Sequence, residues 1–330
     1  MAEVKIEIFR KKNLDESKHL FEKYQFKPYY FLKQLRPSDK LRLFNGLINK
    51  AYLDESNFLL VAKKRNKLIG FLLLEKQVWD SSFFGFNCYK IEHIFANGED
   101  KLKIDMKSEL LGFISDLCKE KNIRYLNVKV DTQDNTSIYA FESNGFQLVS
   151  VMLHLVYATK QRRRHFKIVG KIRPYRGKDL KTLRMIAKNS MHYDHFHSDF
   201  HFSKETSDNV YVSLLENCCK GILADKVFVI ERKGKVVGYV ACQIYHNLNN
   251  ILPIRIGHIR HLAVLNPEGF GCGPGLQEAA LNWFKDKVDV VESATTIQNL
   301  PIIKISIKSN MNIVASHLRF SKWLPKTYRH

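Results

Sequence analysis

Phe58 to Leu74 reads FLLVAKKRNKLIGFLLL, and Val227 to Gln243 reads VFVIERKGKVVGYVACQ. Each stretch consists of an apolar run, a short basic turn and a second apolar run that contains one glycine. Apolar runs rich in Val, Ile and Leu on both sides of a polar turn indicate a β-hairpin with a buried face. The same hairpin is therefore written twice, at an offset of 169 residues.

A second pair of similar segments follows in the same order. Asp134 to Phe146 (DNTSIYAFESNGF) corresponds to Asn299 to Met311 (NLPIIKISIKSNM), and each follows a run that is typical of a strand. Between the paired segments, Met106 to Cys118 and Leu276 to Phe284 carry apolar residues three and four positions apart, which indicates amphipathic helices. The order hairpin, strand, helix, strand, helix, strand thus occurs twice. It predicts an α/β chain with a mixed central sheet flanked by helices in each half.

The length agrees with two domains. The chain has 330 residues, more than one hydrophobic core usually supports, and 45% of them are hydrophobic. The densest basic run, Lys160 to Ile168, lies between the two halves and is expected to be a solvated linker. We therefore expect domains at residues 1–159 and 169–330, joined by a basic linker at 160–168.

The composition indicates where the protein is located and which partners it binds. No apolar run is long enough for a membrane span and no signal peptide is recognisable, so we expect a cytoplasmic protein. The six cysteines form no CxxC pair, and we expect buried free thiols. The net charge of +20 favours an anionic partner, which is a nucleic acid, a membrane surface or a phosphorylated small molecule. The single aromatic residue of the basic run argues against nucleic acid.

The strongest chemical signal is the loop Phe270 to Gly275 (FGCGPG), which lies between the apolar strand Ile259 to Val264 and a helix. Three glycines at alternate positions let the backbone amides converge, and the helix N-terminus adds the positive end of its dipole. Such a loop can hold a pyrophosphate, although glycine also serves tight turns. The first half has Asn97 to Lys101 (NGEDK) instead, whose two acids would repel a pyrophosphate. One such site per chain is expected.

The strand, the loop and the helix resemble the acyl-CoA-binding motif of the GNAT superfamily of N-acyltransferases. That motif is Gln or Arg, two residues, Gly, one residue, then Gly or Ala; Gly273 and Gly275 match, while Phe270 departs from it. The resemblance implies two tandem GNAT-like domains, with acyl-CoA bound only by the second. The implied acyl-CoA contacts are Leu262, Ala263, Val264, Phe270, Gly271, Cys272, Gly273, Pro274, Gly275 and Asn299.

The segment at Asn299 resembles the next family motif, in which an Asn opens a helix that carries a Tyr seven positions on. Ser306 stands in the place of that Tyr, which in many members protonates the departing thiolate. Because a serine hydroxyl holds its proton more tightly than a phenol, we expect direct transfer in a ternary complex without a strong side-chain acid. The missing Tyr also leaves room for a donor larger than acetyl-CoA, such as 3-hydroxybutyryl-CoA.

The candidate general bases are His258 and His261, on the strand before the glycine loop. In the family a backbone amide of this strand meets the carbonyl of the thioester, which here implies Leu262 to Val264. Strand periodicity places the two histidines on opposite faces, so either one is the base or both are structural. A third group of histidines, in His192 to Phe202 (HYDHFHSDFHF), has no spacing of a known metal motif, and we expect no metal site.

Three stretches resemble the bacterial N-acetyltransferases of TDP-fucosamine and similar nucleotide-linked 4-amino-4,6-dideoxy sugars, a class that includes enzymes of the anthrose pathway. They are Trp79 to Asn87 (WDSSFFGFN), Tyr211 to Gly221 (YVSLLENCCKG) and Leu281 to Trp283 (LNW). The alternative is that they are core aromatics and helix caps. The resemblance implies substrate contacts at Asp80, Ser82, Phe83, Phe84, Gly85, Asn87, Tyr211, Glu216 and Asn217.

Two other functions remain open at this level. The chain is either a GNAT that acylates a protein or peptide amine, with the first domain as a docking surface, or a basic binding module without activity. Salt-dependent binding of DNA without affinity for acyl-CoA would favour the module. Homodimers are common in the superfamily, but no segment of this sequence indicates an interface.

Overall fold

A computed structural model of the chain describes residues 4–9, 17–161 and 165–325. These fold into two compact units: unit 1 is drawn from Met1–Ser150 and His317–His330, and unit 2 is Val151–Ser316. The sequence placed the boundary at residues 160–168 instead. The difference arises because the last strand of each repeat pairs within the sheet of the other unit.

Unit 1 follows its predicted element order, preceded by one strand and two helices. Its sheet has the order β1-β2-β3-β4-β5-β12. The neighbours β4 and β5 are parallel, and every other neighbouring pair of this sheet is antiparallel. The elements are β1 (Val4–Ile8), α1 (Lys18–Lys23), α2 (Pro37–Leu53), β2 (Phe58–Lys64), β3 (Lys67–Lys76), α3 (Val78–Phe84), β4 (Asn87–Ala96), α4 (Asp100–Glu120), β5 (Ile123–Asp131), α5 (Asn135–Ser143), the start of β6 (Gln147–Ala158) and the end of β12 (Asn312–Trp323).

Unit 2 repeats this plan. Its sheet has the order β6-β11-β10-β9-β8-β7, with β10 and β11 as the parallel pair. The further elements are β7 (Lys171–Pro174), α6 (Leu180–Ser190), α7 (His195–Ser198), α8 (Lys204–Cys219), β8 (Lys226–Arg232), β9 (Lys235–Ile244), α9 (His246–Asn249), β10 (Ile256–Val264), α10 (Gly273–Phe284), β11 (Val290–Thr296) and α11 (Leu300–Lys308).

The apolar runs of the hairpin β2–β3 are continuous because both faces of the sheet are covered. Leu60 and Leu72 belong to the core that α4 and α5 share with the sheet, whereas Leu59 and Phe71 belong to the core beneath α1 and α2. Successive strand residues point to opposite faces. A sheet covered by helices on both faces therefore needs apolar residues at consecutive positions rather than at every second one.

The last strand of each repeat completes the other unit. Met152–Ala158 of β6 pairs antiparallel with β11, and Leu155 and Tyr157 join the core of unit 2. His317–Trp323 of β12 pairs antiparallel with β5, and Phe320 joins the core of unit 1. Each unit therefore depends on the other repeat for one edge of its sheet.

Two further expectations concern the whole chain. All six cysteines are free thiols, and all except Cys219 are buried. Among the described residues no helix is both long enough and apolar enough to cross a membrane.

Candidate active site

In unit 2 the parallel strands β10 and β11 pair over a short distance and then separate. Their last paired residues are His258 and Glu292, although β10 continues to Val264 and β11 to Thr296. Each strand stays paired along its other edge, β10 with β9 and β11 with β6. The two facing edges therefore enclose a slot that is lined by backbone amides and carbonyls. Leu262, Ala263 and Val264 lie along it.

A β-bulge at the start of this slot determines where the histidines point. The register of β10 against β9 shifts between Ile259 and His261, so Arg260 is the additional residue. The glycine before His258 packs against α10, and the ring of His261 lies beside Tyr211 of α8 with 5.8 Å between ring centroids. Both histidines thus face away from α10. The expectation of opposite faces is wrong because the bulge adds one residue to the alternation.

The glycine loop leads directly into α10, which begins at Gly273. Gly271 has a φ of 83°, in the left-handed region that favours glycine. A Cβ on Gly273 would come within 2.9 Å of Ile305 Cδ1 of α11, so a larger residue there would displace the end of that side chain. The amides of the first turn of a helix have no intrahelical acceptors and carry the positive end of the dipole. The loop is therefore suited to an anion.

Two segments outside the loop hold it in place. Arg232, at the end of β8, donates from Nη1 to the first carbonyl of the loop over 3.0 Å and brings a positive charge beside it. On the other side, Cys272 Sγ donates to the carbonyl of Val169 over 3.2 Å, and His165 Nδ1 lies 2.7 Å from Glu278 Oε1 of α10. The expected linker lies partly outside the described residues. In its described part His165, Lys167 and Ile168 are exposed to solvent, and His165 also contacts α10.

Asn299 and Ser306 lie on the helix that follows β11. Asn299 occupies the N-cap position of α11, but its side chain forms no cap hydrogen bond. Ser306 is only 1% exposed, and its carbonyl accepts a hydrogen bond from the amide of Met311 over 3.0 Å. The first turn of α11 offers few free amides, because the Leu300 amide donates to the carbonyl of Gln298 over 2.9 Å and Pro301 has no N–H.

His258 has a carboxylate neighbour at the last paired position of the two strands. Its Nδ1 lies 3.2 Å from Glu292 Oε1, at ion-pair distance but without hydrogen-bond geometry. The ring of Tyr245 stacks on His258 with 5.7 Å between centroids. Burial, followed by the charge of Glu292, raises the pKa of Tyr245. A carboxylate at this distance orients an imidazole and stabilises the positive charge that it gains with a proton.

His261 has a different environment. Burial, assisted by the charges of Arg260 and His258, lowers the pKa of His261 to about 3. Its Nδ1 has no hydrogen-bond partner among the described residues. The imidazole is therefore neutral at physiological pH and binds a proton weakly.

Unit 1 repeats the splay and the bulge. The strands β4 and β5 last pair at Ile91 and Val128, and the additional residue of β4 is Glu92. His93 follows this bulge as His261 follows the bulge at Arg260 in unit 2. Burial, and then the charge of Lys90, lowers the pKa of His93 to about 4, although Glu92 opposes this. A buried neutral histidine after the bulge is thus common to both repeats.

In unit 1 an ion pair lies at the start of α5, the helix that corresponds to α11 of unit 2. Lys107 of α4 is 3% exposed, and its Nζ donates to Asp134 Oδ1 over 3.0 Å and to the hydroxyl of Ser137 over 2.6 Å. Asp134 also caps α5, because its carboxylate accepts from the amide of Ser137 over 3.1 Å. The N-terminus of α5 is therefore already satisfied by a side chain, unlike that of α11.

The predicted substrate residues of unit 1 cluster around α3. Asp80, Ser82, Phe83 and Phe84 lie on this helix, Gly85 ends it with a φ of 74°, and Asn87 begins β4. None of the residues of α3 is buried, and the rings of Trp79 and Phe83 stack with 5.0 Å between centroids. These rings form a half-exposed aromatic surface rather than a core. The side chain of Asn87 instead holds the end of α4, donating to the carbonyl of Lys121 over 3.0 Å.

The predicted substrate residues of unit 2 all lie on α8, but they separate into two groups. Tyr211 lies beside His261 of β10. Glu216 lies 2.6 Å from Arg184 of α6, and the carbonyl of Asn217 accepts from the amides that follow the helix. The last two residues therefore serve as an ion pair and a helix end, and only Tyr211 is near the splayed strands.

The structure also identifies three residues that the sequence interpretation missed: Arg232, Tyr245 and Glu292. Glu292 is the single acidic residue of the strand VESATT, which was a usable signal. Arg232 and Tyr245 gave none, because a basic residue in a hairpin turn and an aromatic residue after a strand are ordinary features of a surface.

The sequence matches no known protein-family model and no curated protein. Solved structures nevertheless share its fold at low identity. A GCN5-related N-acetyltransferase from Sphaerobacter thermophilus has a TM-score of 0.58 at 11% identity, over 87% of this chain and 85% of that one. A tandem GNAT protein from the clavulanic acid biosynthesis pathway has a TM-score of 0.54 at 11% identity, over 97% of this chain and 98% of that one.

A third similar structure is the glucosamine N-acetyltransferase region of a fungal multi-domain β-N-acetylglucosaminidase. It has a TM-score of 0.62 at 13% identity, over 97% of this chain and 38% of that one. These likenesses extend over both repeats of the sequence. The chain therefore has the GNAT acetyltransferase fold, in two tandem copies.

Proposed function

We propose that this protein is an acyl-CoA-dependent N-acyltransferase whose active site lies in unit 2. One observation carries the proposal: the parallel strands β10 and β11 separate after His258 and Glu292, and a glycine loop that opens the helix α10 follows β10. A slot lined by backbone groups fits the amides of a pantetheine arm, and the loop with Arg232 fits the pyrophosphate. The fold shared with solved N-acetyltransferases supports the same assignment.

The proposed base is His258 rather than His261. A histidine in the position of His261 also occurs in unit 1, which lacks the glycine loop, so the fold accounts for it. The pKa of His261, about 3, also makes it a weak base. His258 instead has Glu292 beside it to stabilise the imidazolium.

In the proposed reaction His258 takes a proton from the substrate ammonium group. The neutral amine then attacks the thioester carbonyl carbon, and a backbone amide of Leu262 to Val264 stabilises the oxyanion. The new C–N bond forms, the C–S bond breaks with its electron pair on sulfur, and the CoA thiolate takes up the proton that the amine releases. A thiol titrates near ~8.5, so its thiolate leaves without a strong side-chain acid.

The proposed acceptor is the amino group of a nucleotide-linked, 4-amino-4,6-dideoxy sugar, with acetyl-CoA or 3-hydroxybutyryl-CoA as the donor. The sequence resemblance to TDP-sugar N-acetyltransferases supports this substrate. The net charge of +20 favours an anionic substrate of this kind.

A thiol-release assay on the full chain tests the proposal. Acetyl-CoA and 3-hydroxybutyryl-CoA are each combined with a panel of TDP- and UDP-linked amino sugars. We expect turnover with a 4-amino sugar that the His258→Gln variant loses. Release with peptide amines but with no sugar would transfer the activity to protein substrates. Failure of the protein to bind CoA in a calorimetric titration would overturn the enzyme assignment itself.

A further inference from the structure

Three side chains of unit 2 that belong to three different segments meet at one point. They belong to His192, which follows α6, to His197 of α7 and to Asp208 of α8, and one possible ligand atom of each lies within 4.8 Å of the others. Among the described residues, no other group of three or more histidines, cysteines and acids has possible ligand atoms this close together. Sequence spacing gave no sign of it, because Asp208 comes from the next helix.

His197 is oriented as a metal-binding histidine usually is. The carboxylate of Asp194 caps α7 and accepts from the amides of Phe196 and His197 over 2.7 and 3.1 Å. The same carboxylate pairs with His197 Nδ1. Because Asp194 is thus fixed, it directs His197 Nε2 at Asp208 Oδ1, which lies 3.1 Å away. A carboxylate on the second ring nitrogen fixes the tautomer and raises the basicity of a ligand histidine.

His192 is held in a similar way by a backbone group. Its Nε2 donates to the carbonyl of Asn189 over 2.8 Å, which leaves the other ring nitrogen to bind a cation. Its ring is 5.5 Å from that of His197. The segment is tied to the sheet next to it, where Thr296 Oγ1 of β11 donates to the carbonyl of Tyr193 over 3.1 Å.

The local charge also favours a cation. Asp194 and Asp208 are 8% and 2% exposed, so both carboxylates are buried. Lys204 Nζ lies 2.7 Å from Asp208 Oδ2 and compensates one of them, while Oδ1 faces the histidines. Both buried carboxylates also contact His197, so a cation bound by a neutral His197 would lie beside two carboxylates and one ammonium group.

We propose that His192, His197 and Asp208 bind a divalent transition-metal ion of the Zn²⁺ type. Two imidazoles and one carboxylate suit Zn²⁺ and its neighbours in the first transition row, whereas Mg²⁺ and Ca²⁺ prefer oxygen ligands. Three protein ligands leave one tetrahedral position open to water or to a substrate group. Tyr211 stacks on His197 with 5.9 Å between ring centroids and also lies beside His261 of β10.

The test is metal binding by the full chain and does not depend on any activity. Protein freed of metal with EDTA is titrated with ZnCl₂ in a calorimeter, and the Co²⁺ form is examined for the visible absorption of a tetrahedral site. We expect one equivalent of Zn²⁺ to bind. The His192→Ala variant should bind at least about tenfold more weakly, because one of three ligands is lost.

His192→Ala is the informative variant because its side chain is exposed and its loss should leave the fold intact. The matched control is His201→Ala, which removes a nearby histidine that pairs with Asp199 instead of the cluster. Asp208→Asn is the second variant, compared by circular dichroism before titration. Equal affinity of the wild type and His192→Ala would overturn the site, as would equal losses in His192→Ala and His201→Ala. It would then be a buried Asp–His–Asp ion cluster that stabilises α7 on α8.

Discussion

Units 1 and 2 share a splayed pair of parallel strands, a bulge and a buried histidine after it, but they differ at the open end of the splay. In unit 2 that end has a glycine loop and a helix whose Asn299 leaves the first turn uncapped. In unit 1 it has acidic residues, and Asp134 with Lys107 caps the corresponding helix. The fold alone therefore provides the slot, while the helix N-termini around it decide whether an anionic ligand can enter.

The same comparison distinguishes the two histidines that are candidates for the general base. A residue that recurs in the unit without a glycine loop, as His261 recurs in His93, is explained by packing against aromatic neighbours: Tyr211 in one unit, and Tyr24 in the other. His258 does not recur, since Lys90 occupies its position. Equivalent residues of the two repeats can thus be compared within one sequence, and four substitutions test the differences between them.

The largest effect is expected for Lys107→Met, which tests whether the site in unit 1 is purely structural. The substitution leaves the buried carboxylate of Asp134 without its cation, so the free energy of unfolding should fall by about 3–5 kcal/mol. The control Lys103→Met removes a half-buried lysine whose partner, Asp100, is exposed, and it should cost less than about 1 kcal/mol. Chemical denaturation near neutral pH measures both. If folded Lys107→Met protein did not bind acyl-CoA, the ion pair in unit 1 would not be purely structural.

The pH dependence of that loss has a definite sign. Burial raises the pKa of Asp134, but the charge of Lys107 and the hydrogen bonds from Ser137 outweigh burial and lower it. A carboxyl group with a lowered pKa stabilises the fold above its unfolded pKa, and this contribution is lost as the pH falls through the folded pKa. The deficit of Lys107→Met should therefore shrink below about pH 4. A deficit independent of pH would assign the effect to lost packing.

The second substitution, His258→Gln, concerns the residue that distinguishes the splay of unit 2. Loss of a general base should lower kcat by about 100-fold or more, while the affinity for acyl-CoA stays unchanged. Lys90→Gln, at the equivalent position in unit 1, is the matched control and should leave kcat within about twofold. Glu292→Gln should also lower kcat, because the carboxylate 3.2 Å from His258 Nδ1 no longer balances the charge that the imidazole gains with a proton. Equal kcat in His258→Gln and wild type would exclude His258 as the base.

The third substitution, Arg232→Gln, tests the charge beside the glycine loop. Removing a guanidinium that neighbours a pyrophosphate should raise the Kd for CoA about tenfold, or about 1.4 kcal/mol. The effect should weaken as salt screens the pair. Lys235→Gln, an exposed lysine of the same hairpin, is the control and should leave the Kd within about twofold. A Kd for Arg232→Gln that matches the control at low salt would remove Arg232 from the site.

The sequence predicted the fold well because the repeated hairpin specifies it locally. Apolar runs around a basic turn and the two helix patterns appear in the structure as β2–β3, β8–β9, α4 and α10. It did not predict the division into units. Nothing in the composition of β6 or β12 indicates which sheet it joins, since strand exchange depends on pairing between residues such as Met152 and Thr296 that lie far apart along the chain.

The site was predictable only where the backbone carries the chemistry. Glycine spacing reveals a loop because a positive φ restricts the residue type, as at Gly271. Side-chain partners brought together by tertiary structure leave no such pattern. The pairing of His258 with Glu292 depends on the parallel register of two strands, and the meeting of His192 with Asp208 depends on the packing of α8.

The smallest effect is expected for Ser306→Ala, which tests whether the second repeat lost its acid. Ser306 is buried on α11, and the equivalent residue in unit 1 is Phe141, which is fully buried. A thiolate is a good leaving group near neutral pH, so kcat should change less than about threefold. The comparison with Ser306→Tyr sharpens the point, because a phenol would restore an acid but would fill the space that a longer acyl chain needs. We therefore expect Ser306→Tyr to discriminate against 3-hydroxybutyryl-CoA relative to acetyl-CoA. A drop of orders of magnitude in Ser306→Ala, with CoA binding intact, would instead show that the serine hydroxyl takes part in proton transfer.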